Sequence, residues 1–187
     1  MSTFRPLLAA TCDDDNIHLV KYPVLCSPKL DGIRVIVKDK LAQTRSLKPV
    51  RNNCVRNELS HEILNGLDGE ICAGDVLDPM CFRNTTTAVM AEYAVIPFTY
   101  WVFDDFLEPG QFAFRHARLK ERVQGLSAMF PKIKVLEHRL ITNRDELEEY
   151  EQENLAKGFE GTMLRSLNGP YKFNRSTFNE GTLLKLK

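Results

Sequence analysis

The chain carries no net charge: among its 187 residues, 25 Lys+Arg balance 25 Asp+Glu. Its five cysteines (Cys12, Cys26, Cys54, Cys72, Cys81) are odd in number and contain no CxxC pair. That pattern speaks against a zinc site or a disulfide scaffold and for a reducing, intracellular (cytoplasmic) compartment. Its four histidines stand far apart with no HExxH, so none is marked as a metal ligand. No apolar run approaches the roughly 20 residues a membrane span requires, and the opening Met1-Ser-Thr-Phe-Arg-Pro lacks a signal-peptide core. Repeats, flexible linkers and low-complexity tracts are missing as well. With 43% hydrophobic and 27% charged residues, the composition is that of one soluble domain, expected to be a monomer.

The balanced charge is an average over segregated segments. From Lys29 to Glu58, eight basic residues (Lys29, Arg34, Lys38, Lys40, Arg45, Lys48, Arg51, Arg56) oppose three acidic ones. From Thr142 to Glu160, seven acidic residues oppose two basic ones. A solvated basic hairpin with a solvated acidic helix accounts for this, and so does a polyanion site on the basic side.

Residues 24–28 and 33–38 read as strands, and Asp39-Lys40 as a hairpin turn into 41–45. Val55, Leu59 and Ile63 recur every four residues, which predicts a helix over about 51–64. Strands are expected at Leu67–Ala73, Phe98–Phe106 and Ile133–Leu140, with a short helix near 84–91. Leu119, Val123, Leu126 and Phe130 share one helical face. Thr142 or Asn143 caps a further helix, with Asp145 or Glu146 completing a capping box and Gly158 ending it. Gly161–Ser166 and Thr182–Lys187 close the chain as strands. Hairpins interleaved with helices predict an α+β fold with antiparallel sheets flanked by helices.

Five short segments carry the chemistry. Lys29-Leu-Asp31-Gly32-Ile-Arg34 sets an amine at a strand end, beside one charge of each sign. A neutral lysine is a good nucleophile toward carbonyl or phosphoryl centres, but its reference pKa of ~10.4 must fall first, through nearby cations or desolvation. A surface hairpin with a turn glycine explains the same segment. Leu67-Asp68-Gly69-Glu70 is a second Asp-Gly beside a strand. Glu160-Gly161-Thr-Met163-Leu-Arg165 and Leu183-Leu-Lys185-Leu-Lys187 follow late in the chain. In the last of these, strand alternation puts Lys185 and Lys187 on one face, where two like charges need either water or an anion between them, and a solvated lysine pair explains the segment as well. Glu70 and Glu160 offer hard oxygens of the kind that bind magnesium together with substrate phosphates.

With the aromatic strand Tyr100-Trp-Val-Phe103-Asp104 between the second and third of these, the set resembles the covalent nucleotidyltransferases, the superfamily of polynucleotide ligases and messenger-RNA capping enzymes. The segments match its motifs I, III, IIIa, IV and V in order. The stretch Gly169-Pro-Tyr-Lys-Phe-Asn-Arg-Ser-Thr-Phe-Asn-Glu-Gly181 is most similar to ATP-dependent DNA ligases of phages and viruses. The resemblance implies an ATP-grasp-like catalytic domain, as in DNA ligases and capping enzymes. It implies that Lys29 takes AMP from ATP as a lysyl-AMP phosphoramidate and passes it to a 5′-phosphate at a nick in duplex DNA, the chemistry of DNA repair and replication. It also implies α-phosphate contacts from Lys185 and Lys187, and Mg2+ near Glu160 and Glu70. Arg34 and Glu70 would face the ribose, Arg45 (in Thr44-Arg-Ser46) a phosphate, Phe103 one face of adenine and Met163 the other. Asp31 and Asp68 are read as orienting turns.

In DNA ligases of this type an OB-fold domain follows motif V, so residues 1–187 are expected to be the adenylation domain alone, with slow reaction toward ATP and poor nick sealing by itself. The alternatives are an RNA ligase, which shares the Glu-Gly start of motif IV, and a capping guanylyltransferase, whose motif IV commonly begins Asp-Gly. A non-catalytic nucleotide- or DNA-binding module is the alternative from another class.

Overall fold

A computed structural model describes residues 4–186. It contains ten strands and four α-helices among the described residues, divided between two compact units that the chain visits alternately. The first unit comprises residues up to Lys29, Pro109–Phe114 and Glu137 onward; the second comprises Leu30–Glu108 and Arg115–Leu136.

The first unit is built on a five-stranded sheet formed by β1 (Ala10–Cys12), β2 (Val24–Pro28), β8 (Arg139–Ile141), β9 (Thr162–Ser166) and β10 (Leu183–Leu186), in the order β1-β10-β9-β2-β8. Its core joins Val24, Cys26, Ile141, Leu164 and Leu184 from the strands to Leu147 and Tyr150 of α4 (Arg144–Lys157). The expected cap of α4 is present: Asn143 Oδ1 accepts from Glu146 N at 3.0 Å, and Glu146 reaches back to Thr142 N at 2.7 Å. Gly158, in the left-handed region at φ 95°, ends the helix. The acidic run is mostly an exposed face carrying Arg144–Glu148 and Arg139–Glu153 pairs, but Glu151 and Asn154 turn inward with Leu147 and Tyr150.

The second unit is a sheet in the order β4-β3-β5-β6-β7, made of β3 (Ile33–Lys38), β4 (Leu41–Thr44), β5 (Leu67–Cys72), β6 (Thr99–Asp105) and β7 (Ile133–Val135). The β3–β4 turn has Asp39 at φ 54° and Lys40 at φ 62°, the positive values that a two-residue hairpin needs to match strand twist. Val35, Val37, Leu67, Ile71, Tyr100 and Val102 face α1 (Asn53–Leu59), α2 (Cys81–Met90) and α3 (Phe112–Leu126) across one core. A fully buried ion pair, Arg115 with Asp104 (2.9 and 3.1 Å), bolts α3 to β6.

Two expectations need correction. The helix expected over 51–64 stops at Leu59, because the Ser60 hydroxyl accepts from Ala42 N of β4 at 3.0 Å and a separate 3-10 turn, Glu62–Leu64, follows. The strand expected at Ile133–Leu140 is two: β7 pairs with β6, and β8 pairs with β2 in the other sheet. The sheets are antiparallel apart from two parallel edge pairs, β1 with β10 and β6 with β7. Among the described residues no helix is long and apolar enough to cross a membrane.

Candidate active site

In the first unit, Lys29 directly follows β2. Its main chain is fixed to the turn before β9: Lys29 N donates to Gly161 O at 2.8 Å, and Glu160 N donates to Lys29 O at 3.3 Å. This clamp brings together two residues 131 positions apart, and the Lys29 ammonium forms an ion pair with the Glu160 carboxylate. Both side chains are half-buried, at 19% and 30% exposure, accessible to a ligand yet shielded enough for charge to count.

Strand register extends the site sideways. Ser27 lies opposite Met163, and Met163 opposite Lys185, so the three form one row across β2, β9 and β10. Lys29, two residues beyond Ser27, has the same parity. Met163 and Lys185 are half-buried, whereas Leu184 and Leu186 point to the core as alternation requires. Leu183 shares the parity of Lys185 and is buried too. Lys187 lies outside the described residues.

A second group stands on the sheet of the other unit. Arg34, Glu70 and Trp101 lie opposite one another across β3, β5 and β6. The Arg34 guanidinium engages the buried Asp68 carboxylate in two bonds, Nε to Oδ1 at 2.8 Å and Nη2 to Oδ2 at 2.5 Å, and lies 5.5 Å from the centre of the half-buried Phe103 ring. Asp68 is therefore a strand residue that orients an arginine, not a turn former. Desolvation pushes the Glu70 carboxyl up to about 8; Asp68 and Asp31 add to the rise, against relief from Arg34 and the Gly32 amide. Arg34 neutralises Glu70 only in part because Asp68 already holds its charge.

Gly32 explains itself sterically. A Cβ there would sit 2.2 Å from Ile71 O and 2.9 Å from Cys72 Sγ, so this glycine serves close packing of motif I onto β5. Arg45 is exposed in the turn after β4, closed by Leu47 N to Thr44 O at 2.8 Å. The basic block is partly neutralised: Lys38 pairs with Asp39, Lys40 with Glu62 at 3.0 Å, and Arg51 approaches Glu92 at 3.9 Å. Arg45 and Lys48 remain exposed at one turn.

The site residues thus fall into two sets, Lys29, Glu160, Met163 and Lys185 on one unit and Arg34, Arg45, Glu70 and Phe103 on the other, and the chain crosses between units at Lys29–Leu30. Glu70 and Glu160 belong to different units, and among the described residues no group of three or more His, Cys, Asp or Glu could enclose a metal. Each carboxyl taken by itself is a hard oxygen donor, suited to a cation that keeps water or substrate oxygens. Sequence reasoning missed Glu151, Asn154 and Asp104. For the first two, the inward spacing Leu147, Tyr150, Glu151, Asn154 was the available signal.

Comparison with known proteins follows the same lines. The family described as ATP dependent DNA ligase domain matches residues 6–187. A crystal structure of Chlorella virus DNA ligase-adenylate superposes with a TM-score of 0.83 at 36% identity, covering 100% of this chain and 69% of that one. A second structure of that ligase-adenylate gives 0.81 at 38% identity, with 100% and 68% coverage. The ATP-dependent DNA ligase of bacteriophage T7, in complex with ATP, shares the fold at 15% identity, with a TM-score of 0.72 and coverage of 98% and 68%. No curated protein sequence matches the chain.

Proposed function

The chain belongs to the ATP-dependent DNA ligase domain family as an adenylation domain, and from that premise we propose that Lys29 is the residue that carries AMP. The observation that carries this reading is the clamp that holds Lys29 against Glu160 at adjoining strand ends, beside the row containing Lys185. Released from Glu160 and with its proton given up to solvent, Lys29 Nζ attacks the α-phosphorus of ATP. A P–N bond forms, the bond to the bridging oxygen breaks, and pyrophosphate leaves. Such transfers depend on positioning and on neutralising the equatorial oxygens. Lys185 supplies that charge, and Lys187 is assigned the same role from its motif.

On the other unit Phe103 presents a ring for the adenine, and Arg34 and Glu70 present polar groups toward the ribose. Met163 offers a second apolar contact to the base. Magnesium would be held by Glu160 together with phosphate oxygens, supplying charge neutralisation, and Glu70 is the candidate carboxyl that the other unit offers. The polynucleotide we assign is nicked duplex DNA, with Arg45 and Lys48 meeting its phosphates. We further assign the domain to the repair or replication of DNA inside cells or infected cells.

The test is incubation with ATP and magnesium followed by intact mass measurement. An added AMP on the wild-type chain that vanishes in Lys29→Ala is the expected result. A GMP adduct from GTP in preference to AMP would move the assignment to capping, and an adduct that survives Lys29→Ala would remove Lys29 from its role. Sealing of nicked DNA compared with nicked RNA then fixes the polynucleotide.

A further inference from the structure

A small buried polar cluster stands behind the catalytic clamp, and the chemistry above does not use it. Thr162 is two residues beyond Glu160 and fully buried. Its hydroxyl accepts from Asn154 Nδ2 at 2.8 Å, and the buried Glu151 lies on the same inward face of α4 as Asn154. Asn154 and Glu151, at 2% and 7% exposure, are three positions apart on the inward face of α4.

The main chain continues the connection. Asn154 O accepts from Phe159 N at 3.0 Å, just after the left-handed Gly158. One residue therefore holds β9 through its side chain and the segment leading into β9 through its carbonyl. Between these two anchors lie Glu160 and Gly161, whose backbone clamps Lys29. Gly161 has φ 141°, so the turn is not one that an ordinary side chain would stabilise.

The cluster is an expensive way to pack a helix on a sheet. Glu151 Oε2 has no hydrogen-bond partner although buried, and burial raises the carboxyl above its ordinary range. An apolar trio of similar volume would cost less. What the Asn154–Thr162 bond adds is direction: it fixes where the first residue of β9 sits along the axis of α4, and through it the Glu160–Gly161 turn.

We propose that Thr162, held by Asn154, is a positioning residue that sets the geometry of the Lys29–Glu160 pair for nucleotidyl transfer. The proposal rests on the reading of Lys29 as nucleophile. Displacements of about 1 Å away from the reacting atoms cost on the order of 100-fold in rate, so the effect belongs in turnover more than in ATP binding.

The experiment compares wild type, Thr162→Val and Thr162→Ser by the single-turnover rate of lysyl-AMP formation, the KM for ATP, and hydrogen exchange resolved at individual amides. Thr162→Val keeps the shape and removes the hydroxyl. It is expected to slow adduct formation about 10- to 100-fold with KM changed by less than about twofold, while Thr162→Ser restores most of the rate. The amides of Lys29 and Glu160 are expected to exchange about tenfold faster in the valine variant, with the β9–β10 ladder unchanged. Should Thr162→Val fail to fold, Asn154→Ala carries the same signature at several-fold size. A valine variant equal to wild type in rate and in exchange at those two amides overturns the proposal, as does exchange raised evenly across the sheet. If the wild-type chain forms no adduct at all, the reading of Lys29 fails, and the exchange at Lys29 and Glu160 alone decides whether Thr162 positions the clamp.

Discussion

Replacing Glu70 by Gln is expected to stabilise the protein at alkaline pH relative to wild type and to leave it unchanged in acid. Glu70 sits in β5 between Arg34 and Trp101, and its carboxyl is pushed from 4.5 to about 8, chiefly by desolvation. A carboxyl with a raised folded-state value holds its proton when the unfolded chain has already lost it. Its contribution to stability is thus full below about 4.5 and is lost as the pH rises from there to about 8. At ~1.4 kcal/mol per unit the ceiling is roughly 5 kcal/mol. The residue is only partly buried, so solvent screening brings the expected loss to about 2–3 kcal/mol. Gln keeps the shape of the protonated acid and does not titrate. Urea unfolding midpoints for both proteins from pH 4.5 to 9 measure the difference: the curves should coincide at the acid end and diverge with the variant above. Parallel curves, or a wild type that gains on the variant as pH rises, would refute the account of Glu70 as a desolvated, mostly protonated acid at neutral pH.

Two other perturbations test the framework around the site. Asp104→Asn leaves the Arg115 guanidinium buried without its counter-charge and should cost about 3–5 kcal/mol in urea unfolding; Asp104→Asn with Arg115→Met should recover most of that, and a cost under about 1 kcal/mol for the single change would show that the bolt between β6 and α3 is unimportant. Gly32→Ala forces a Cβ to within 2.2 Å of the Ile71 carbonyl, a backbone group that cannot swing aside, and should lower stability by about 1–3 kcal/mol; an unchanged Tm would mean that the loop before β3 is slack.

Much of the fold could be read from residue patterns because local rules and tertiary packing agree there. The β2 and β3 ranges, the Asp39-Lys40 turn and the Asn143 cap all stand where alternation, turn chemistry and capping put them. Reading failed where a distant partner decided the outcome. Ser60 ends α1 because its hydroxyl serves β4, and the segment 133–140 divides because its two halves pair with strands of different units. Local patterns also treated the acidic run as uniformly solvated, since the inward turn of Glu151 shows only against the heptad spacing of Leu147, Tyr150 and Asn154. In the site, motif order named the residues, but Asp68 as the partner of Arg34 required the β3–β5 register, which no local pattern specifies.

The alternation of the chain between its two units also orders events in time. All strands of the β4-β3-β5-β6-β7 sheet are complete once residue 135 has been synthesised. The other sheet has to wait: β1 pairs with β10, and β2 pairs with β9. Lys29 acquires its carboxylate neighbour only after 131 further residues have followed it. During synthesis the sheet carrying Arg34, Glu70 and Phe103 can therefore be finished while Lys29 still sits on unpaired chain. A nascent chain that stops short of β9 would carry Lys29 but not the backbone clamp that fixes it beside Glu160 and Gly161.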